Sequence, residues 1–225
     1  MKRAAALLSL LPVLACTPLS IGVPPEMAGS ALRTSASVSL IGNTVELRPY
    51  STAGYRTHGW TEQDAVRWFG RVTASGATVF SFTLVNAGRS VRLVSCTDDR
   101  ESSSMKIGKV DLSTESHALS CRVEHTDGRG TVGTIGLDAR GDGSAELGGD
   151  SFTIGPHDLT DQGKTFPGLG RAARVGGKAV AVWQYSYDKP VYLAGNVSAD
   201  QQANAAAIVA VAHLYRKLLD DGQRK

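Results

Sequence analysis

The sequence predicts a mainly β chain: a single antiparallel barrel, or a sandwich, of about a dozen short strands with a buried apolar C-terminal helix. Three observations predict it. Short alternating segments recur from Ser37 onward. They are separated by turn chemistry at Asp127-Gly128, Asp142-Gly143, Gly176-Gly177 and Asp188-Lys189-Pro190. The chain then closes on a stretch that is apolar in every direction, Ala205 to Ala212, just after a helix-start signal.

The strand segments read in order as Ser37–Leu47, Ala65–Val72, Thr78–Val85, Val91–Cys96, Lys106–Leu112, Leu119–Glu124, Val132–Leu137, Ser144–Leu147, Ser151–Ile154, Arg171–Val175, Ala179–Tyr187 and Val191–Val197. Period-two alternation is clearest in Phe80-Ser81-Phe82-Thr83-Leu84 and Val180-Ala181-Val182-Trp183, as a strand with one buried face requires. Ser198-Ala199-Asp200-Gln201 matches the capping box and starts a helix over 199–219. Asp200 in its first turn and Arg216-Lys217 in its last complement the helix dipole. A helix apolar on all sides is buried on all sides, and small residues fit it to a narrow space such as a barrel interior. At about 190 residues, 37–225 fits one domain.

The N-terminus has a different character. Lys2 and Arg3 precede the apolar run Ala4–Leu14, too short for a bilayer, which needs about 20 residues. Val13-Leu14-Ala15-Cys16 resembles the lipobox of bacterial lipoproteins, although Leu14 stands where Ala or Ser is usual. That resemblance implies a signal peptide over 1–15 and lipidation of Cys16. It also implies a place in the bacterial cell envelope, held to a membrane by lipid, with Thr17 pointing to the outer rather than the inner membrane. Residues 16–36, rich in Pro, Ser and Ala, read as the lipidated cysteine and a flexible tether. Loss of Lys2 and Arg3 leaves 22 basic against 21 acidic residues, so no net field suggests nucleic acid.

An oxidising compartment and a lipidated Cys16 leave Cys96 and Cys121 as a pair, read as a structural disulfide. It would close a loop holding the polar stretch Thr97–Ser104, worth about 3 kcal/mol in the chain-entropy picture. No CxxC or dense His/Cys cluster suggests a metal, and no cofactor is implied.

The order of strands and small-residue helix resembles the tubby C-terminal-like fold of tubby, LURP-one-related and phospholipid scramblase proteins. Phe152-Thr153-Ile154, Gly177 to Trp183, Lys189 to Leu193, Ser198-Ala199-Asp200 and Leu218 to Asp221 carry the likeness, over about a third of the chain. It implies an antiparallel barrel closed around the C-terminal helix. The family's phosphoinositide and calcium sites have no counterpart here, so no site residue is carried over.

Several motifs have bland explanations. Ser103-Ser104-Met105-Lys106 spells S-x-x-K without its companion elements. Asp138 to Gly143 looks like a calcium loop, but Arg140 takes a ligand position and Gly149 stands where the closing Glu belongs; a hairpin turn explains it. His58, His117, His125, His157 and His213 form no ligand spacing, although His117 and His125 could share a strand face. Trp183, Tyr185 and Tyr187 alternate along one strand face and read as core filling.

The favoured function is therefore a non-enzymatic binding or envelope-maintenance module on a lipid anchor, its partner another envelope protein or a lipid. Two alternatives stay open. One is a hydrolase-type enzyme with His157, Asp158, Asp161 and Lys164 in the stretch 155–170, which shows the least strand character. The other is a lipid carrier with an acyl chain inside the barrel.

Overall fold

The computed structural model of the chain describes residues 19–35, 37–38, 44–68, 71–107, 110–185 and 190–222. The expected signal segment 1–15, Cys16 and Tyr187 lie outside the described residues, and within 60–75 and 102–116 only backbone is described. Ser103, Ser104 and Lys106 are therefore placed by strand register alone.

The strands are β1 (Ala31–Ser35), β2 (Ser37–Val38), β3 (Val45–Leu47), β4 (Tyr50–Trp68), β5 (Arg71–Asn86), β6 (Arg89–Ile107), β7 (Val110–His125), β8 (Thr131–Asp138), β9 (Gly143–Leu147), β10 (Asp150–Leu159), β11 (Thr165–Val175), β12 (Lys178–Trp183) and β13 (Pro190–Ala194); the helix α1 (Ala199–Gly222) follows. They form one sheet in which every described strand from β2 to β13 lies beside its neighbours in sequence, while β1 pairs with β13. A single residue separates β1 from β2. β1 pairs with β13 from Ala31↔Ala194 to Ser35↔Pro190, and β2 pairs with β3 at Val38↔Val45. The two edges of the sheet are thus halves of one closing strand, giving a nearly closed antiparallel barrel of 12 strands. Closure leaves few free strand edges for stray pairing.

Alternation decides what faces inward. Phe80, Phe82, Val94, Val123, Ile135 and Phe152 are buried on the inner face. Every residue of α1 from Ala203 to Tyr215 is buried as well. Three and a half turns buried on all sides require a surrounding shell, so α1 is the core of the barrel. Ala205, Ala206, Ala207, Ala210 and Ala212 keep the helix slim enough to fit, while Ile208, Val209 and Val211 fill the gaps. The expected fold is therefore present, and the helix runs three residues beyond its predicted end. Arg216 accordingly sits a turn inside it, paired with Asp220 at 3.2 Å.

An antiparallel meander puts alternate turns at opposite ends. The turns at 87–88, 126–130, 148–149 and 176–177 and the lead-in 195–198 share the end where α1 starts. The turns at 139–142 and 160–164 share the end where α1 finishes. From that second end β4 to β7 run on past the barrel. β8 reaches only Ala118 of β7, whereas β6 and β7 stay paired out to Ile107↔Val110. The overhang of 110–117 is roughly 26 Å at the usual rise per strand residue.

Three expectations need correction. Ala65–Val72 and Lys106–Leu112 each span a join between strands, while polar Thr97–Ser104 is continuous β6. The reason is pairing: β5 and β7 flank β6 along this stretch, as in Arg100↔His117 and Ser102↔Glu115, and backbone ladders form without apolar alternation. The stretch 155–170 is mostly strand too, with only a short turn between β10 and β11.

The third correction is the tether. Residues from Leu19 onward belong to the barrel. Ile21 and Met27 are fully buried, Gly22 N–H donates to Leu159 O at 2.8 Å, and Asp161 N–H donates to Ser20 O at 3.0 Å. Gly22 lies so close to the Thr160 carbonyl that a Cβ there would collide with it. The Glu26 carboxylate accepts Ala179 N–H at 3.1 Å, which holds its pKa below the usual value. Since β1 also closes the sheet, the domain includes Leu19–Ser35 and does not begin at Ser37. The two large apolar residues Ile21 and Met27 are too far apart to create periodicity, which is why composition alone suggested a tether.

Candidate functional site

A cleft of about 760 Å³ opens at the barrel end where α1 starts. Its floor is built by Arg92 of β6 and Asn204 and Asp200 of α1; its walls include His125, Arg129 and Asn196. Local rules explain the floor. Ser198 caps the helix, its Oγ accepting Gln201 N–H at 3.1 Å. The Gln201 side chain does not complete a capping box; it donates to Asp150 Oδ2 at 2.9 Å and ties the helix to β10. Gln202 donates to Ala194 O at 2.9 Å and accepts from the Tyr50 hydroxyl at 3.2 Å.

Arg92 is the centre of this arrangement, only 4% exposed. Its Nε donates to Asn204 Oδ1 at 3.0 Å, Nη1 to Val91 O at 2.9 Å and Nη2 to Asp200 Oδ1 at 2.8 Å. Asn204 in turn donates to Leu147 O at 3.3 Å. The bond to Arg92 holds the Asp200 carboxyl below its usual pKa, and burial pushes the Tyr50 phenol up. The site offers hydrogen-bond donors, acceptors and the fixed guanidinium charge of Arg92.

A second polar cluster lies toward the other end of the helix. Asp98 of β6 is wholly buried, with Arg100 Nε at 2.7 Å from Oδ2 and the Tyr215 hydroxyl donating to Oδ1 at 3.1 Å. His117 Nδ1 stands 3.6 Å from the same carboxylate. Burial first, then the neighbouring carboxylate, drives the Tyr215 pKa upward. Two residues earlier, on another face of the helix, His213 is buried with its ring 5.6 Å from that of Tyr185, and burial lowers its pKa to about 4. Its Nε2 has no hydrogen-bond partner among the described residues. Gly141 belongs to this end: a Cβ there would run into the Tyr185 hydroxyl.

The sequence-predicted site residues are spread out. His157 is buried, its Nε2 bonded to Gly22 O at 3.0 Å, and its pKa is lowered by that burial. It fastens the N-terminal segment to β10. Asp158 accepts Gly168 N–H at 2.8 Å, while Asp161 and Lys164 are exposed in the turn. These four share a neighbourhood at the end far from the cleft, with no catalytic geometry linking them. His125 and His117 both lie on β7, but at opposite ends of the barrel wall. The Asp138–Gly143 stretch is the expected hairpin turn, with Asp138 Oδ1 accepting the N–H groups of Arg140 and Asp142. Trp183 is buried and meets Tyr185 edge-on at 6.5 Å, as core filling requires. No cluster of metal-ligating side chains occurs among the described residues.

Cys96 and Cys121 are joined (S–S 2.07 Å) and buried, directly opposite each other in the β6–β7 ladder. Sequence reasoning missed Arg92, Asn204 and Asp98. A buried Arg or Asp on a strand leaves no local signal, although Asn204 interrupting the apolar face of α1 could have drawn notice. No family model, no curated protein and no solved structure matches this chain.

Proposed function

We propose that the chain is a lipid-anchored envelope lipoprotein of the non-enzymatic kind, a rigid barrel that binds a small polar ligand or a polar segment of a partner at the cleft above Arg92. The observation that carries the reading is the filling of the barrel by α1: with Ile208, Val209 and Val211 fully buried, the interior is occupied by protein and binding falls to the rim. Arg129, whose Nε is paired with Asp127 at 2.7 Å, and Asn196 line that rim with side chains exposed to solvent. A barrel closed around its C-terminal helix also accords with kinship to the tubby-like fold, which we keep as part of the proposal. The resemblance of Val13–Cys16 to a lipobox, together with a cystine pair, supports an exported, oxidising address.

Mass spectrometry of the mature N-terminus, beside a C16S control, tests the anchor. A diacylglyceryl-modified Cys16 is expected; an unmodified chain starting elsewhere sinks the lipoprotein reading. Capture from intact envelope with wild type and Asn196→Trp tests the cleft. The bulky residue should remove the specific partner, and unchanged capture would move binding elsewhere.

A further inference from the structure

We propose that the barrel end carrying the β10–β11 turn rests on the bilayer, with Phe166 and Leu19 seated at the boundary between headgroups and acyl chains. The inference rests on the lipoprotein reading above and adds an orientation to it. Only Thr17 and Pro18 separate Cys16 from Leu19, which spans about 10 Å at full extension. Ser20 is already bonded to Asp161 in the turn, and Ile21 bridges to Thr160. A lipid on Cys16 therefore cannot stand far from this end of the barrel.

The surface found there suits that position. Phe166 is 50% exposed and Leu19 38% exposed, both among the few large apolar side chains open to solvent in the described residues. Phe166 is the second residue of β11, two past the turn, and Leu19 immediately precedes Ser20, which is bonded to that turn. Asp161 and Lys164 offset each other in charge, so attraction to anionic headgroups is not the driver. Shallow seating of an aromatic and a leucine, held by the nearby acyl chains, is. Two consequences follow from the meander: the β4–β7 ribbon leaves from this same end and is polar through Asp99–Ser104, so it has to pass along the membrane surface with the barrel axis tilted off the normal, and the cleft at the opposite end opens away from the bilayer.

The test uses the full lipidated chain in its own membrane, with p-benzoylphenylalanine placed at Phe166 or at Lys178, the exposed first residue of β12, beside the turn at the opposite end. Flotation reports the anchor, cross-linking to alkyne-tagged lipid reports orientation, and the Cys96–Cys121 gel shift confirms folding. Lipid adducts at 166 and none at 178 are expected. A chain that floats with adducts at neither position, at both, or at 178 alone overturns the orientation while leaving the anchor. A chain that does not float overturns both.

Discussion

The two ends of α1 hold the same helix in the same barrel by different means. At its start, Ser198 caps the helix, Gln201, Gln202 and Asn204 pair polar atoms with the barrel rim, and three nitrogens of Arg92 have fixed partners. At its finish, Tyr215 reaches a wholly buried Asp98, while His213 sits in apolar surroundings with one ring nitrogen unpartnered among the described residues. The difference teaches where this fold is vulnerable. At the first end Ser198 and Asp200 reach solvent, so losing either one costs little even though Arg92 and Asn204 beneath them are buried. At the second end, charge and polarity are buried, where the loss of one partner is expensive.

The largest effect should come from breaking the buried end. Asp98→Ala strips the Tyr215 hydroxyl and Arg100 of their shared partner, and urea unfolding should report a loss of about 3–5 kcal/mol, the usual cost of breaking a buried pair. Acid should probe the same end nearly as strongly. His213 has a folded pKa of about 4 against an ordinary 6.5, so the native state resists a proton that the unfolded chain accepts. Its contribution is fully present above pH 6.5 and is lost as pH falls from 6.5 to 4, amounting to about 3 kcal/mol. His213→Phe should flatten stability across that window; an unchanged slope would place the acid sensitivity elsewhere.

The solvated end should yield smaller numbers. Ser198→Ala removes the helix cap and should cost about 1 kcal/mol by denaturant titration. Asp200→Asn should cost less than about 1 kcal/mol, because the carboxylate is 80% exposed and screened despite its buried partner. Its depressed pKa places its contribution above the carboxylate range, to be lost only below it, so the pH 4–6.5 slope should not change. If Asp200→Asn proved as damaging as Asp98→Ala, the contrast between the ends would collapse. Smallest of all, Phe166→Ala should shift stability by no more than about 0.5 kcal/mol in solution, since it packs little of its surface.

Much of the barrel was legible because inner-face burial imposes period two: Phe80-Ser81-Phe82 and Val180 to Trp183 reveal their strands unaided. The β6 segment Thr97–Ser104 did not, because its pairing comes from backbone ladders with β5 and β7, which residue types do not encode. The candidate site was less legible still. His157, Asp158, Asp161 and Lys164 attracted notice as a polar stretch, yet they sit at the far end from the cleft. Arg92, Asn204 and Asp98 were hidden because their roles depend on partners some 50–120 positions away.

By itself the sequence determined the local and the covalent: turns from glycine and aspartate chemistry, the helix start at Ser198, an all-round apolar helix that has to be enclosed, and the pairing of Cys96 with Cys121. These depend on short-range sterics, capping and the count of thiols. Only the tertiary structure decided that β1 and β2 are two halves of one closing strand. It alone made Ile21 and Met27 part of the domain, and it alone set a cleft and a buried carboxylate at opposite ends of the same helix. Each of those depends on which distant backbone groups meet once the sheet curls shut, and closure is a property of the whole chain.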